Sequence, residues 1–158
     1  MVFKGLKKTL SFTQRNNGNI DDVFPLLCPV REKDWLDGWE YEMVHSSSGL
    51  IEKDCVFTTP HHGEYSTVWQ VTQYDVINHE IEFLRVTPFE NVVKISIKLT
   101  PLDTNKTEAL IGYQYTALNE EQNAFIEAEL EESFIESMQW WEKAINHYLI
   151  TGKMLKKA

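Results

Sequence analysis

The chain predicts an α+β fold: seven antiparallel strands, two short helices after the first strand and one long helix at the C-terminal end. Three observations carry this expectation. Period-two alternation of apolar and polar residues recurs in segments between Trp39 and Leu118. The connections between those segments are too short to hold a crossover helix, so neighbouring strands pair antiparallel. From Asn119 onward the apolar period changes to the 3.6 of an amphipathic helix.

Residues 9–15 read as the first strand, closed by the turn cluster Asn16-Asn17-Gly18-Asn19. Asn19 can cap a short helix with Asp22 in its first turn, and Pro25 and Pro29 limit that helix and force a second over 30–36. Trp39, Tyr41, Met43 and His45 then share one face of a half-buried strand, with Glu40, Glu42, Val44 and Ser46 on the other. Ser46 to Gly49 form a turn, after which Ile51, Cys55 and Phe57 lie on one side of a strand ending near Pro60. Strands over 67–75, 79–87, 91–100 and 107–118 follow, joined by hairpin loops. The third of these is the clearest: Val93, Ile95, Ile97 and Leu99 point inward, Lys94, Ser96 and Lys98 outward.

The last helix starts with Asn119 and has Gln122 three residues on, an approximate capping box, and it finishes at Gly152 and the lysines beyond. A single helix over 120–150 would be about 45 Å long, against roughly 33 Å for a ten-residue strand, so it should overhang the sheet. Phe134, Met138, Trp141, Ile145 and Tyr148 step by four and three into one stripe, widened by Leu130 and Leu149, that packs on the sheet.

Composition excludes several function classes. The 158 residues are 42% hydrophobic and 25% charged, with 15 Lys and Arg against 24 Asp and Glu, and neither repeats nor linker-like stretches divide them, so residues 1–158 read as one domain. No apolar run reaches the 18 residues of a membrane span. The first residues have no apolar segment of signal-peptide length, which predicts a cytoplasmic protein whose two cysteines stay reduced. The net charge of −9 is concentrated in 119–148, which holds eight Glu and one Lys, while no basic stripe exists to release counterions from a nucleic acid. The acid reads as a solvated helix face or, alternatively, as an acidic docking surface.

Local motifs go further: Val23-Phe24-Pro25-Leu26-Leu27-Cys28-Pro29-Val30-Arg31-Glu32 with Trp35 and Gly38-Trp39, Asp54-Cys55-Val56-Phe57-Thr58-Thr59, Tyr115-Thr116-Ala117-Leu118, and Asn146-His147-Tyr148-Leu149. Together with the element order they resemble a bacterial group within the START-like (SRPBCC) superfamily, which includes the birch-pollen allergen and polyketide cyclases. The resemblance runs from about Leu6 to Gly152. It implies a helix-grip fold, in which a curved sheet holds the last helix over a mostly apolar cavity that takes lipids, sterols, polyketides or plant hormones. It carries no catalytic residues over to this chain.

Departures from a purely apolar inward register point to the site. Arg85 follows Ile81 and Phe83 on one face, where an unpaired guanidinium is costly. At 100° per residue Glu127 falls within about 20° of the helix stripe and Glu131 within about 60°, so a carboxylate there could be its partner. Either Arg85 anchors a carboxylate or enolate oxygen of an apolar ligand with Glu127 at the cavity mouth, or Arg85 lies near a strand end and reaches solvent while both Glu sit on overhanging turns. Trp69, Tyr113 and Tyr115 offer large amphipathic rings to the same concavity, opposite Phe134, Met138 and Trp141. The expected ligand is a hydrophobic small molecule. A polyketide cyclase- or dehydratase-like enzyme would use the same cavity, with Arg85 or a tyrosine polarising a carbonyl and Glu127 or His45 moving a proton.

Other chemistry-bearing residues read as bystanders. Cys28 and Cys55 lie among apolar residues as buried inert thiols. His61-His62 with Glu64 sits in a hairpin tip where adjacent side chains point apart, a poor metal site. No phosphate loop, dinucleotide fingerprint, nucleophile elbow or iron-ligating cluster occurs, so neither cofactor nor metal is expected and no catalytic residue is assigned. Phe125 and Trp140 fall on the helix side away from the stripe, where exposed rings would suit a homodimer contact or a partner-binding module without a cavity.

Overall fold

A computed structural model of the chain describes residues 2–61 and 65–158. Among these residues the order is β1 (Lys7–Asn16), α1 (Ile20–Val23), a 3-10 turn (Phe24–Leu27), α2 (Pro29–Trp35), β2 (Glu42–His45), β3 (Val56–Thr59), β4 (Thr67–Asp75), β5 (Glu80–Thr87), β6 (Asn91–Asp103), β7 (Lys106–Ala117), α3 (Glu120–Ala128) and α4 (Leu130–Thr151). The strands make one antiparallel sheet in the order β1-β7-β6-β5-β4-β3-β2. Five hairpin steps from β2 to β7 therefore bring the last strand beside the first, and α1 and α2 carry the chain from β1 to the far edge. Among the described residues no helix is long and apolar enough to cross a membrane.

Register puts the core on one face of the sheet. Val71, Phe83, Ile95 and Tyr113 form one row across β4 to β7, and Ile81, Ile97 and Ile111 form another. All are buried, and Phe134, Met138 and Ile145 of α4 belong to the same core. Lys94, Ser96 and Lys98 alternate outward as the pattern requires.

Two expectations are corrected. The strand read from Trp39 begins only at Glu42, because the Trp39 indole is turned back to donate to the Pro29 carbonyl at 2.9 Å and packs on Trp69 instead of extending the ladder. The terminal helix is two helices. Asn119 caps α3 by accepting from the Gln122 amide at 2.7 Å, but Glu129 leaves helical geometry at φ −128° and ψ −23° before α4 starts. That break lets Ile126 and Leu130 turn down onto Ala117, so the helical layer follows the sheet rather than running past it.

Polar clamps fix the layer. The Asn146 side chain donates to the Arg15 carbonyl at 3.0 Å and accepts from the Asn17 amide at 2.9 Å, while Glu142 accepts from the Arg15 amide at 2.7 Å. Asn123 does the same for the chain before β1, accepting from the Leu6 amide at 2.7 Å and donating to the Lys4 carbonyl at 3.1 Å. Gly152, at φ 69°, ends α4 with a bond from its amide to the Tyr148 carbonyl, a left-handed cap that a side chain would strain.

Candidate functional site

One row of the inner face breaks the apolar pattern. Trp69, Arg85, Val93 and Tyr115 lie in register across β4, β5, β6 and β7, directly beside the row that holds Tyr113. Arg85 is the sixth residue of an eight-residue strand and is half-buried, so it does not sit at a strand end. Its guanidinium carbon lies 5.3 Å from the Trp69 ring centre, 5.8 Å from Tyr113 and 5.6 Å from Tyr115, and Nη2 donates to the Tyr115 hydroxyl at 2.9 Å. Each such contact is worth about 0.5–2 kcal/mol, which offsets part of the lost hydration without neutralising the charge. Among the described residues Arg85 makes no ion pair.

Above this row α4 leaves a cavity of about 250 Å³. Trp69, Arg85, Tyr113 and Tyr115 form its floor, Phe134, Met138 and Trp141 its roof, Leu36 and Trp39 one end, and Ser133 and Ser137 lie along its rim. Seven of the eight residues singled out in the sequence thus line one space. The eighth, Glu127, is exposed and lines none of it. The buried face runs Ile126, Leu130, Phe134, Met138 in steps of four, so extrapolating the stripe backwards through the break at Glu129 put Glu127 one position too far round the helix. Glu131 is exposed as well and pairs with Lys8 at 3.6 Å.

The floor is electrostatically poised. Burial pushes the Tyr113 phenol well above its usual range, the Arg85 charge pulls it back, and the Glu32 carboxyl adds to the rise. Glu32 is the residue that sequence reasoning missed. It sits on α2 with 6% of its surface exposed, has no hydrogen bond or ion pair from its carboxyl among the described residues, and burial raises its pKa to about 8. The signal was there in outline: Cys28, Glu32 and Trp35 step by four and three along the inward face of α2, so an acid occupies an apolar stripe.

The remaining candidates separate. Cys28 and Cys55 are buried free thiols whose pKa values burial raises, and Cys28 donates to the Pro25 carbonyl at 2.8 Å. His45 is exposed on β2, away from the cavity. His61 pairs with Glu90, whereas His62 and Glu64 lie outside the described residues. Phe125 and Trp140 were expected to be exposed and are half-buried: Phe125 packs on the Ile126 cluster and the Lys157 ammonium lies 5.3 Å over the Trp140 ring. The dimer and partner-module readings lose the exposed rings they rested on.

No protein-family model matches the chain, and no curated protein matches it. Solved structures do. Norcoclaurine synthase from Thalictrum flavum, in complex with dopamine and hydroxybenzaldehyde, is 12% identical over 95% of this chain and 90% of that one, with a TM-score of 0.67. The ZhuI aromatase/cyclase from Streptomyces sp. R1128 is 11% identical over 95% of this chain and 100% of that one, at 0.68. A hypothetical protein from Helicobacter pylori is 12% identical over 89% and 87%, at 0.72. These likenesses establish the fold: the chain has the helix-grip architecture of START-like proteins.

Proposed function

We propose that the chain binds a small, mainly apolar and aromatic molecule with one oxygen-rich end, held between the sheet and α4 with its oxygen on Arg85. The observation that supports this most is the Arg85 cation, caged by three rings and without an acid partner among the described residues, on the wall of an apolar cavity. A guanidinium in such a place supplies a fork of donors to a carboxylate, enolate or carbonyl oxygen. Size favours a small aromatic over a long lipid, since about 250 Å³ lies just below the usual range of about 300–1,000 Å³ for ligand pockets. The folds it resembles include proteins whose structures hold aromatic ligands.

Anilinonaphthalene sulfonate has two aromatic parts and one anionic oxygen cluster, which suits the test. Saturable fluorescence enhancement is expected, weakened about tenfold or more by Arg85→Met in a domain that still unfolds cooperatively. Absence of saturable binding, or equal binding by the variant, would sink the proposal. Glu32 supports no acid–base reading on the bound molecule, since its carboxyl is buried outside the cavity lining.

A further inference from the structure

Arg85 has a second side. Beyond it, toward the β5–β6 turn and α3, lies a concavity of about 600 Å³ that shares Trp69, Arg85 and Tyr115 with the cavity under α4 and has Phe125 as an apolar wall of its own. The other groups around it are polar by type, yet they bond to one another. Thr67 and Thr87 share a hydrogen bond at 3.0 Å, Asn91 Nδ2 donates to Gln122 Oε1 at 2.9 Å, the Trp69 indole donates to Thr59 Oγ1 at 3.0 Å, and His61 pairs with Glu90. The Asn91 oxygen left without a partner is itself buried and shows nothing to the concavity. A wall whose polar groups satisfy each other gains little from a polar guest, and an apolar guest deprives it of few hydrogen bonds. Arg85 is the exception: it gives one bond to Tyr115 and has no acid partner among the described residues.

We infer that this concavity is a second apolar compartment of the binding site, and that the ligand is branched at its oxygen-rich end. The carbon that carries the oxygen group there also carries two apolar arms, one under α4 and one beyond Arg85 against Phe125. The inference rests on the binding role proposed above and extends it. Both compartments meet at the same guanidinium, so an oxygen group held on Arg85 has apolar space on either side of it. An unbranched molecule uses only one side. A fatty acid or a linear aryl acid leaves the outer compartment wet, whereas a diaryl or aryl-alkyl acid fills both.

The test compares two isomeric probes, diphenylacetate and 4-biphenylacetate, titrated calorimetrically into the full chain. They have the same atoms and one carboxylate each, but the first bears its two rings on one carbon and the second bears them in line. Diphenylacetate should bind about tenfold more tightly, because only its second ring is buried beyond Arg85. Phe125→Ala, which removes the apolar wall, and Gln122→Trp, which fills the compartment from α3, should each cut that preference to about twofold or less. The preference is a ratio read within one variant, so a partly unfolded fraction lowers the apparent stoichiometry and leaves the ratio intact. If the isomers bind the wild type alike, if the preference survives in either variant, or if the sulfonate dye binds through Arg85 and neither isomer binds, the second compartment is refuted and the cavity under α4 stands. If neither isomer binds and Arg85→Met changes nothing for the dye, the binding role fails and the second compartment with it.

Discussion

Arg85 on β5 and Tyr115 on β7 are two strands apart, yet their side chains meet over Val93 of β6, with Nη2 donating to the phenolic oxygen at 2.9 Å. The hydroxyl therefore aims the guanidinium, and the ring shields one side of it. Tyr115→Phe keeps the ring and removes the aim. Dye affinity should fall about threefold to tenfold, and the unfolding free energy should change by less than about 1 kcal/mol. Isothermal titration with urea denaturation of the same variant checks both; a loss as large as that of Arg85→Met would mean that the phenol contacts the ligand itself.

Glu32 makes stability depend on pH in a direction opposite to that of a paired carboxylate. Unfolded, its carboxyl has the ordinary value of 4.5; folded, burial raises it to about 8. Between these values the native state holds a proton that the unfolded state has released, so stability is full below about pH 4.5, declines as the pH rises toward 8 and is lowest above it. A shift of this size is on the order of 5 kcal/mol. Thermal unfolding between pH 5 and 9 should show the wild-type midpoint falling more steeply than that of Glu32→Gln; parallel profiles would place the carboxyl in contact with water.

What was legible follows from how far each inference had to reach. Strand faces depend only on parity within a hairpin, so Arg85, Tyr113 and Tyr115 could be assigned inward from their neighbours, and Trp69 meets them because β4 and β5 pair Trp69 with Arg85, past a register shift between Val71 and Gln73. Helix phase accumulates error. A single non-helical residue, Glu129, is enough to move Glu127 out of the stripe, and nothing in Ala128-Glu129-Leu130 announces it. Glu32 was legible only in outline: seven residues between Cys28 and Leu36 are two turns, enough to place Cys28, Glu32 and Trp35 on one side but not to say that the side is buried. Trp140 is covered by Lys157, a contact that no local pattern encodes.

Asn146 joins α4 to the end of β1 through Arg15 and Asn17, and those bonds replace backbone partners that the strand end would otherwise lack. Asn146→Ala should cost about 1 kcal/mol, the net worth of hydrogen bonds at an exposed site. Asn146→Asp retains the acceptor for the Asn17 amide and should lose less. Urea midpoints at constant slope measure the difference, and an alanine variant as stable as the wild type would show that water replaces the clamp.

Ser133 and Ser137 are one turn apart on α4, exposed, and border both the apolar cavity and the groove of about 530 Å³ between α4 and the residues Leu36 to Trp39. They are the small residues beside Phe134, Met138 and Trp141, so the cavity opens where they stand. Ser137→Trp would lay a ring across that opening without touching the floor. An exposed substitution of this kind should change stability by about 0.5 kcal/mol or less. Its effect belongs to the kinetics: stopped-flow association and dissociation of the dye should both slow, by about tenfold, leaving the equilibrium constant near that of the wild type. Unchanged rates would mean that the ligand enters past Asn91 and Phe125 instead, through the concavity of about 600 Å³ on the other side of Arg85, which α3 rather than α4 borders.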